Sequence, residues 1–519
     1  MSAFDQGGLG RFSRRSVIAG ALVTGAGALL AACGSGAVVT TASSSAPAAT
    51  SASQAVSATT AAQTSSASAS SASASSAVAS TSVAPTSSAA VTTAAATSSA
   101  AATPVPAAPG ASGAATTLTW GGWADTVQMG IFNDIIAAYQ KANPTIKVNA
   151  QFAPWSDYWQ KVQTQLASNT APDLIEMSVA YIGNFVAKNV VLNLDSYVQT
   201  RKLDLGRYWP VDVATWRFAA GSKVGGQGPL YAMSYDASIN STFFYNKTLF
   251  DKAKLPYPTD SWTWEKDVLS AAKALTDPAS QQWGMLAPYV ADGAWTSLVW
   301  EWGGDTISSD YSKGTLSQPE ALAALQFIYD LVYTQKVSPP PDSSAKVPPF
   351  TTGKFAMYFS NCDCEISSFK KITSFEWDVA RWPAGPKGRV VEMEPDGHAI
   401  TKSTKQPDQT FDFLKFVVYD DDGIMRQSTY GTLPAVQSLA QSDKYLKQPG
   451  FPAGKYLQLK DIVEGSRENY FGQGWAEWED KSDKALQQAW LGKKSAADAA
   501  KDADAAIDSV LQHLGGSLF

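Results

Sequence analysis

The side chains of this sequence that could carry chemistry are mainly aromatic rings and carboxylates. Among 519 residues, 17 are Trp, 46 are Asp or Glu and only two are His, which disfavours most metal-based and imidazole-based catalysis. Glycoside hydrolysis needs a pair of carboxylates, but no spacing singles out a pair among the candidate acids Glu301, Asp305, Glu392 and Glu394. The sequence also lacks a Gly-x-Ser-x-Gly elbow, a phosphate-binding loop, a dinucleotide fingerprint and a His-Glu-x-x-His motif. We therefore do not expect an enzyme.

Two closely spaced cysteines form a second group of potentially reactive side chains. Cys362 and Cys364 flank one residue, and the only other cysteine is Cys33, so the chain has too few for a disulfide framework. Three interpretations are open. The pair consists of two free thiols, or forms a disulfide in an oxidising exterior, or binds a metal. No His or third Cys is near in sequence, which disfavours the metal site. We expect no metal and no cofactor.

The first 32 residues predict an export signal. Positive residues precede an apolar run at 17–30 that is too short and too weakly apolar for a spanning helix. Residues 13–18 read SRRSVI and resemble a twin-arginine signal, and LAAC at 30–33 resembles a bacterial lipobox. We therefore expect a lipid on Cys33 that anchors the protein to the outer face of the cytoplasmic membrane, at the cell surface or in the periplasm.

Residues 33–116 predict a disordered linker behind this anchor. From residue 34 to 116 the chain is rich in Ser, Ala and Thr and has no charged and no aromatic residue, so it cannot bury enough apolar surface to fold. A flexible chain of ~80 residues has a root-mean-square reach of roughly 50 Å. We interpret this segment as a flexible tether between the anchor and the folded part.

The remainder of the chain predicts two α/β lobes. About 400 residues follow residue 116, more than one core usually serves. Strand, helix and strand patterns alternate from residue 118 to 175, which implies parallel strands with crossover helices. Asp125 or Thr126 is the expected cap of the first helix and Ser156 that of the second. Later strands are expected at 243–245 and 355–359, with helices at 247–253, 264–275, after Pro319, at 411–418 and at 495–511.

Several segments of this part, taken in their order along the chain, resemble those of a known family. They are "FNDIIAAYQKANPTIKV", "LASNTAPDLIEMS", "FFYNKTLFDKAKLPYPTDSWTWEKDVLSAAKALTD", "FTTGKFAMYFSN", "AITKSTKQPDQTFDFLKFVVYDDD" and "GTLPA". In this order they resemble the extracellular solute-binding proteins of ABC importers, in the maltose-binding-like family that mostly carries sugars. The resemblance spans nearly all of residues 118–511.

The resemblance implies a fold of two discontinuous α/β lobes with a hinge and a ligand cleft between them. We expect the first lobe at 117–238 plus 389–436 and the second at 239–388 plus 437–519. Ligand binding would close the hinge, and the closed protein would be presented to the permease subunits of an ABC transporter. The family expectation is a monomer.

The resemblance also implies contacts for a sugar, whose apolar faces need aromatic platforms and whose hydroxyls need polar partners. The expected ligand contacts are Trp123, Asp125, Tyr181, Tyr235, Asp236, Trp295, Asp363, His398, Trp475 and Trp478. Of the last two, one is expected to reach the cleft. Glu176 lies nearer the strand, where a core-facing orientation is favoured. Many relatives have Gly-x-Trp where this chain has residues 361–364, so Asp363 would supply a polar contact instead of a ring.

Two alternatives to a sugar receptor stay open at this stage. The same fold could bind a polyamine or another small solute, because acidic residues between aromatic rings suit an amine. An anchored glycan-active enzyme is the other alternative. The formal net charge of −6 argues against nucleic acid as a partner.

Overall fold

The structure is a computed structural model that describes residues 115–289, 294–341 and 349–514. The predicted export signal, Cys33 and nearly all of the predicted linker lie outside the described residues. The strands are β1 (Thr116–Trp123), β2 (Ile146–Ala153), β3 (Leu174–Ser178), β4 (Met233–Ser234), β5 (Thr242–Asn246), β6 (Trp283–Leu286), β7 (Phe355–Ser360), β8 (Trp377–Ala380), β9 (Val391–Met393), β10 (Asp396–Ile400) and β11 (Ser466–Glu468).

Helices make up nearly half of the described residues outside these strands. They are α1 (Thr126–Ala142), α2 (Trp155–Ala167), α3 (Val179–Ala187), α4 (Asp195–Thr200), α5 (Pro210–Thr215), α6 (Lys247–Ala253), α7 (Leu269–Leu275), α8 (Ala294–Glu301), α9 (Pro319–Tyr333), α10 (Ile366–Phe369), α11 (Pro407–Val418), α12 (Asp421–Gln427), α13 (Gln437–Ala440), α14 (Asp443–Leu446), α15 (Tyr456–Gly465), α16 (Trp475–Trp490) and α17 (Ala496–Leu511). A π-helical turn at Trp264–Val268 precedes α7.

The first lobe is built on a five-stranded sheet in the order β2-β1-β3-β10-β4. β1 pairs in parallel with both β2 and β3, as the alternating strand and helix pattern predicted. β10 enters the sheet from a distant part of the chain and pairs antiparallel with β3 and β4. The lobe is therefore discontinuous in sequence.

The second lobe is built on a four-stranded sheet in the order β6-β7-β5-β8. β5 is antiparallel to β7 and β8, whereas β6 and β7 are parallel. All residues of β5 and β7 are buried, which explains why these strands appear in the sequence as continuous apolar runs. The α/β class and the two-lobe architecture are confirmed, and the residue boundaries proposed for the lobes stay a prediction.

The helix starts show where local sequence signals succeed and where they fail. Asp125 caps α1 and forms a capping box with Gln128, as predicted for one of the two candidate caps. The predicted cap of α2, Ser156, is wrong, because the N-cap is Pro154, two residues earlier, and Ser156 lies inside the helix. Proline has no side-chain acceptor, so α2 starts without a side-chain cap.

Three hinge segments join the lobes: residues 235–241, 392–396 and 431–436. They run side by side, and backbone hydrogen bonds link the first to each of the others, from Ala237 N to Leu433 O (2.8 Å) and from Asn240 N to Glu392 O (2.9 Å). A small apolar cluster around Ile239 and Met393 packs against them. The three segments therefore form one hydrogen-bonded connection between the lobes.

The described residues contain neither a candidate membrane span nor a candidate metal cluster. None of the helices they contain is long and apolar enough to cross a membrane. They also hold no group of three or more His, Cys, Asp or Glu side chains arranged for a metal ion.

Candidate functional site

A cavity of about 650 Å³ lies between the two lobes. Its first-lobe wall follows the carboxyl ends of β1 to β4, where ligands of open α/β sheets bind. Its second-lobe wall consists of one face of α16, the turn after β7 and Tyr289. The volume is within the range of about 300–1,000 Å³ that is usual for small-molecule sites.

An aromatic wall covers the first-lobe side of the cavity. We use this name for Trp123, Trp155 and Tyr181, which line the cavity, together with the buried Trp159, which does not line it but whose ring contacts all three. Trp123 meets Trp155 edge-on at 4.8 Å between centroids, and Trp159 stacks on Tyr181 at 3.8 Å. Trp123 is 7% exposed and Trp155 is 46% exposed. The wall therefore has a rigid buried base and an open rim, and offers flat apolar surface to a ligand.

A buried carboxyl holds this wall from behind. Glu176 is fully buried, and its two oxygens accept hydrogen bonds from Trp123 N and Tyr235 Oη, both at 3.0 Å. Gly122 makes room for it, since an added Cβ would lie 2.8 Å from the Cβ of Glu176. Burial raises the pKa of Glu176 well above its usual value, so the group favours its neutral form.

Three further carboxyls line the cavity where the hinge segments meet. Asp236 is 1% exposed and accepts a hydrogen bond from Asp396 N at 2.8 Å, and Glu394 accepts one from the side chain of Asn240. Burial is the largest cause that raises the pKa of Asp236 and of Asp396, and repulsion between neighbouring carboxylates raises both further. A ligand at this point therefore meets acidic groups that can accept or, when protonated, donate hydrogen bonds.

The helix α16 supplies an acidic wall opposite the aromatic one. Residues spaced by three or four positions line the cavity from its face: Trp475, Ala476, Glu479, Asp480, Asp483, Lys484, Gln487 and Trp490. Gly474 precedes the helix at φ +75°, a conformation that favours glycine. Its N–H donates to Asn184 Oδ1 at 3.0 Å, which ties the start of α16 to the first lobe.

The turn after β7 contributes a disulfide to the cavity wall. Cys362 and Cys364 are bonded, and both line the cavity, so the free-thiol interpretation of the pair is wrong. Asp363, between them, points elsewhere and forms a fully buried ion pair with Lys455 at 3.1 Å. It also accepts a hydrogen bond from Ser238 Oγ at 3.0 Å. The turn therefore connects the cavity wall with a hinge segment.

Three cavity residues carry a buried polar atom that has no hydrogen-bond partner among the described residues. These atoms are Trp475 Nε1, Gln427 Oε1 and Asp236 Oδ2. The first is a donor and the other two are acceptors. Thr432 and the N–H of Ser238 lie near the Asp236 carboxyl and lower its pKa less than burial raises it. Because unpaired buried polar atoms are unfavourable, these three suit a ligand that offers both donors and acceptors.

The family of the chain follows from its sequence as well as from this geometry. A family model for bacterial extracellular solute-binding proteins matches residues 123–422. The chain belongs to this family. It is a family of binding proteins rather than of enzymes, and it places this solute-binding protein outside the cytoplasm.

Individual relatives agree with this assignment. A binding protein of Brucella abortus is 25% identical over 386 residues, which are 73% of this chain and 90% of the relative. The structure of an ABC substrate-binding protein of Listeria monocytogenes in complex with cycloalternan has a TM-score of 0.69 and 24% identity, and covers 76% of this chain and 99% of its own. A solute-binding protein of Thermotoga lettingae bound with α-D-tagatose has a TM-score of 0.65 and 18% identity, and covers 76% of this chain and 100% of its own. These structural likenesses show the fold.

Five of the ten expected ligand contacts of this solute-binding protein line the cavity. They are Trp123, Tyr181, Tyr235, Asp236 and Trp475. Four of these follow the carboxyl ends of strands in the first lobe, and the fifth begins α16. The expectation that one of the two late tryptophans reaches the cleft agrees with this arrangement, since Trp478 is packed in the core and Trp475 lines the cavity.

The other expected contacts lie outside the cavity wall for identifiable reasons. Asp125 caps α1 and accepts a hydrogen bond from Tyr430 Oη, which does line the cavity. Trp295 is buried and donates to Asp483 Oδ1 at 2.9 Å, so it supports a lining carboxylate from behind. Asp363 is occupied by its ion pair with Lys455.

His398 is also outside the wall. It is fully buried in β10 between Trp120 and Tyr235, with ring centroids at 5.5 Å and 5.4 Å. Burial lowers its pKa to about 3, so the imidazole is neutral at ordinary pH. His398 is therefore a core residue that packs against Trp120 and Tyr235.

Several lining residues were not among the sequence expectations. Trp155 follows the carboxyl end of β2 as Trp123 ends β1, so the strand-end rule could have identified it. Glu479 and Asp483 follow Trp475 at helical spacing, a pattern visible in the sequence once the helix is assigned. No local signal identifies Tyr430 or Gln427, because their position depends on how α12 packs against α1.

Proposed function

We propose that the protein captures a sugar or a small oligosaccharide in the cavity between its lobes, closes about the hinge segments and delivers the solute to the permease of an ABC importer. The observation that carries the proposal is the combination of the aromatic wall with unpartnered buried donors and acceptors. A sugar has apolar faces that stack on rings and a rim of hydroxyls that donate and accept.

The hydrogen-bonding atoms support this chemistry in detail. Trp475 Nε1 needs an acceptor, whereas Gln427 Oε1 needs a donor. A hydroxyl group can serve in either role, so the hydroxyls of a saccharide suit both atoms. Each pairing removes an unfavourable buried polar group, an effect worth about 1–3 kcal/mol.

The ligands of structural relatives support the same class of solute. The relatives described above hold cycloalternan and α-D-tagatose. A protein of T. maritima solved with bound maltose has a TM-score of 0.64 and 19% identity, and covers 77% of this chain and 100% of its own. Closure about a hinge is the usual response of this architecture to a ligand.

A polyamine is the second candidate solute. Six carboxyl residues line the cavity, and aromatic rings attract ammonium groups. A polyamine would leave Trp475 Nε1 without an acceptor, because its ammonium groups only donate hydrogen bonds. The saccharide is therefore the better match.

Thermal unfolding of the full chain against a panel of mono- and oligosaccharides tests the proposal. A ligand at 100 times its Kd adds about 2.7 kcal/mol to the free energy of unfolding. We expect one or a few saccharides to raise the Tm, and the same ligand to lose its effect on a Trp475→Ala variant. A shift with spermidine and with no saccharide would contradict the proposal.

We also propose that Cys33 anchors the protein to the membrane by a lipid and that residues 33–116 tether the folded part near its permease. Support comes from the sequence, since LAAC precedes a long uncharged linker, and a tether raises the effective concentration of receptor at the permease. In detergent phase separation, the wild type is expected in the detergent phase and a Cys33→Ser variant in the aqueous phase or retained as precursor. Aqueous partitioning of the wild type would rule the anchor out.

A further inference from the structure

The wall of the cavity has an excess of acidic groups. The charged residues that line it are Asp236, Glu394, Asp396, Glu479, Asp480, Asp483 and Lys484. Six of these seven are acids, and the ammonium of Lys484 lies 2.6 Å from one of them, Asp480. None of the lining residues that the structure describes is an arginine. Burial and repulsion between carboxylates raise the pKa of Asp236 and Asp396, so a cation that enters the cavity would be stabilised by favouring their ionised forms.

The buried lysine nearest to this region does not remove the imbalance. Lys455 interacts with Asp236, but its Nζ is bound to Asp363 Oδ2 at 3.1 Å and to Gly431 O at 2.6 Å. It is fully buried and does not line the cavity. Its charge is committed mainly to Asp363, which leaves the carboxyls at the hinge to face the cavity.

One of these carboxyls has an unused acceptor. Asp236 is 1% exposed, and its Oδ1 accepts from Asp396 N at 2.8 Å. Its Oδ2 has no partner in good hydrogen-bond geometry among the described residues, although Thr432 and the N–H of Ser238 lie near enough to the carboxyl to lower its pKa. Asp236 lines the cavity next to Glu394 and Asp396 on the adjacent hinge segment. A charged donor is the strongest partner for such an oxygen, since charge-assisted hydrogen bonds are about twice as strong as neutral ones.

From these observations we infer that the solute is a saccharide carrying a protonated amine, whose ammonium lies against Asp236 and whose rings stack on the aromatic wall. The inference rests on the proposed function and narrows its substrate class. A linear polyamine satisfies the carboxyls but not the N–H of Trp475, which has no partner among the described residues. An amino sugar satisfies both, because its remaining hydroxyls and ring oxygen are acceptors.

Matched pairs of saccharides test the inference by calorimetric titration of the full chain. Each monosaccharide pair differs by an ammonium in place of one hydroxyl: glucosamine and glucose, galactosamine and galactose, and mannosamine and mannose. The β-1,4 trimers of glucosamine and glucose are a fourth pair, which differs in this way in each of its three rings. We expect the amine to bind at least about 10-fold more tightly in the pair that the cavity accepts, because a charged hydrogen bond replaces a neutral one. Spermidine is titrated as the non-saccharide amine.

Two substitutions test whether Asp236 is responsible for the preference for the amine. Asp236→Asn keeps an oxygen for the N–H of Asp396 but removes the charge, and we expect it to reduce the preference for the amine at least about fivefold. Asp134→Asn is the matched control, because Asp134 is an exposed residue of α1 that does not line the cavity. It is expected to leave the preference unchanged. Circular dichroism of both variants checks that the fold is retained.

The outcomes separate this inference from the proposed function. A neutral saccharide that binds as tightly as its amine partner overturns the inference and leaves the proposed function standing. Tighter binding of spermidine than of every saccharide overturns both the sugar assignment and the inference, as does the absence of binding by all saccharides. A preference for the amine that persists in Asp236→Asn overturns the role of Asp236.

Discussion

The two walls of the cavity differ in how they are held. The aromatic wall grows out of the first-lobe core: Trp123 ends a strand, and the buried Glu176 fixes its backbone N–H. The acidic wall is one face of α16, whose carboxylates belong to a helix that packs by its other face. The ring positions therefore depend on the stability of the lobe. On the opposite wall Glu479 is buried and Asp483 accepts a hydrogen bond from Trp295, but the exposed Asp480 can lose its charge at little cost to folding.

Trp123→Ala is expected to have the largest effect, because Trp123 serves as core and as wall. Removal of a buried Trp side chain costs about 3–5 kcal/mol of unfolding free energy. Trp155→Ala is the matched comparison: Trp155 is 46% exposed, so we expect a loss of about 1 kcal/mol or less. Urea unfolding measures both. Equal losses in the two variants would contradict the distinction between a buried base and an open rim.

Glu176→Ala tests the support behind the aromatic wall. The change leaves Trp123 N and Tyr235 Oη without their acceptor, and one unpaired buried donor costs about 1–3 kcal/mol. We expect a loss of about 2–4 kcal/mol in urea unfolding. Glu176→Gln is the control. Its amide can accept from Trp123 N while the hydroxyl of Tyr235 turns to accept from it, so the loss should be under about 1.5 kcal/mol.

The wild type and Glu176→Gln should differ in how their stability depends on pH, because only the wild type has an ionisable group at this position. The pKa of Glu176 is raised in the folded state, so its contribution to stability is full below its ordinary pKa of 4.5 and declines as the pH rises. The loss has an upper limit of about 1.4 kcal/mol per pH unit. Glu176→Gln does not titrate, so its stability relative to the wild type should improve from about pH 5 to 8. A constant difference would show that Glu176 has an ordinary pKa.

The disulfide in the second-lobe wall is expected to contribute less. Its loop spans three residues, for which the loop-closure relation gives about 1–2 kcal/mol. Replacement of both cysteines by serine should lower the unfolding free energy by this amount and should abolish the sensitivity of the Tm to reductant. The wild type with reductant is the control and should match the double variant. A reductant effect that persists in the double variant would exclude the disulfide as its cause.

Residues at the ends of clearly patterned strands could be predicted from the sequence. Trp123 and Tyr181 follow short apolar strands of this kind, and the carboxyl end of a sheet strand is where ligands bind. The strand before Tyr235 and Asp236 has only two residues and was not predicted, so these two were expected from the resemblance alone. The fully buried strand β7 and the capping box at Asp125 were visible for the same reason, since their signals are local.

Contacts set by packing between distant segments could not be predicted in this way. Asp363 was expected in the cleft because it is a polar residue in the turn after a strand. Instead it forms a buried ion pair with Lys455, which lies 92 positions later in the sequence. His398 is surrounded by Trp120 and Tyr235 only after β10 is inserted beside β3. The acidic face of α16 turns to the cavity because Gly474 and Asn184 fix the helix start to the first lobe.

Asp480→Asn should have the smallest effect on stability of the variants considered. It tests whether one charge of the acidic wall can be removed without unfolding the protein. Asp480 is exposed and pairs with Lys484 at i, i+4, so the stability loss should be about 0.5 kcal/mol or less. If the acidic wall attracts an amine, the variant should bind glucosamine-type ligands about twofold more weakly at ~20 mM salt. The difference should vanish near 1 M salt, where the Debye length is about 3 Å. If the difference in affinity does not depend on salt, Asp480 contacts the ligand directly. In that case the acidic wall would not act through long-range charge, and it would not differ from the aromatic wall in this respect.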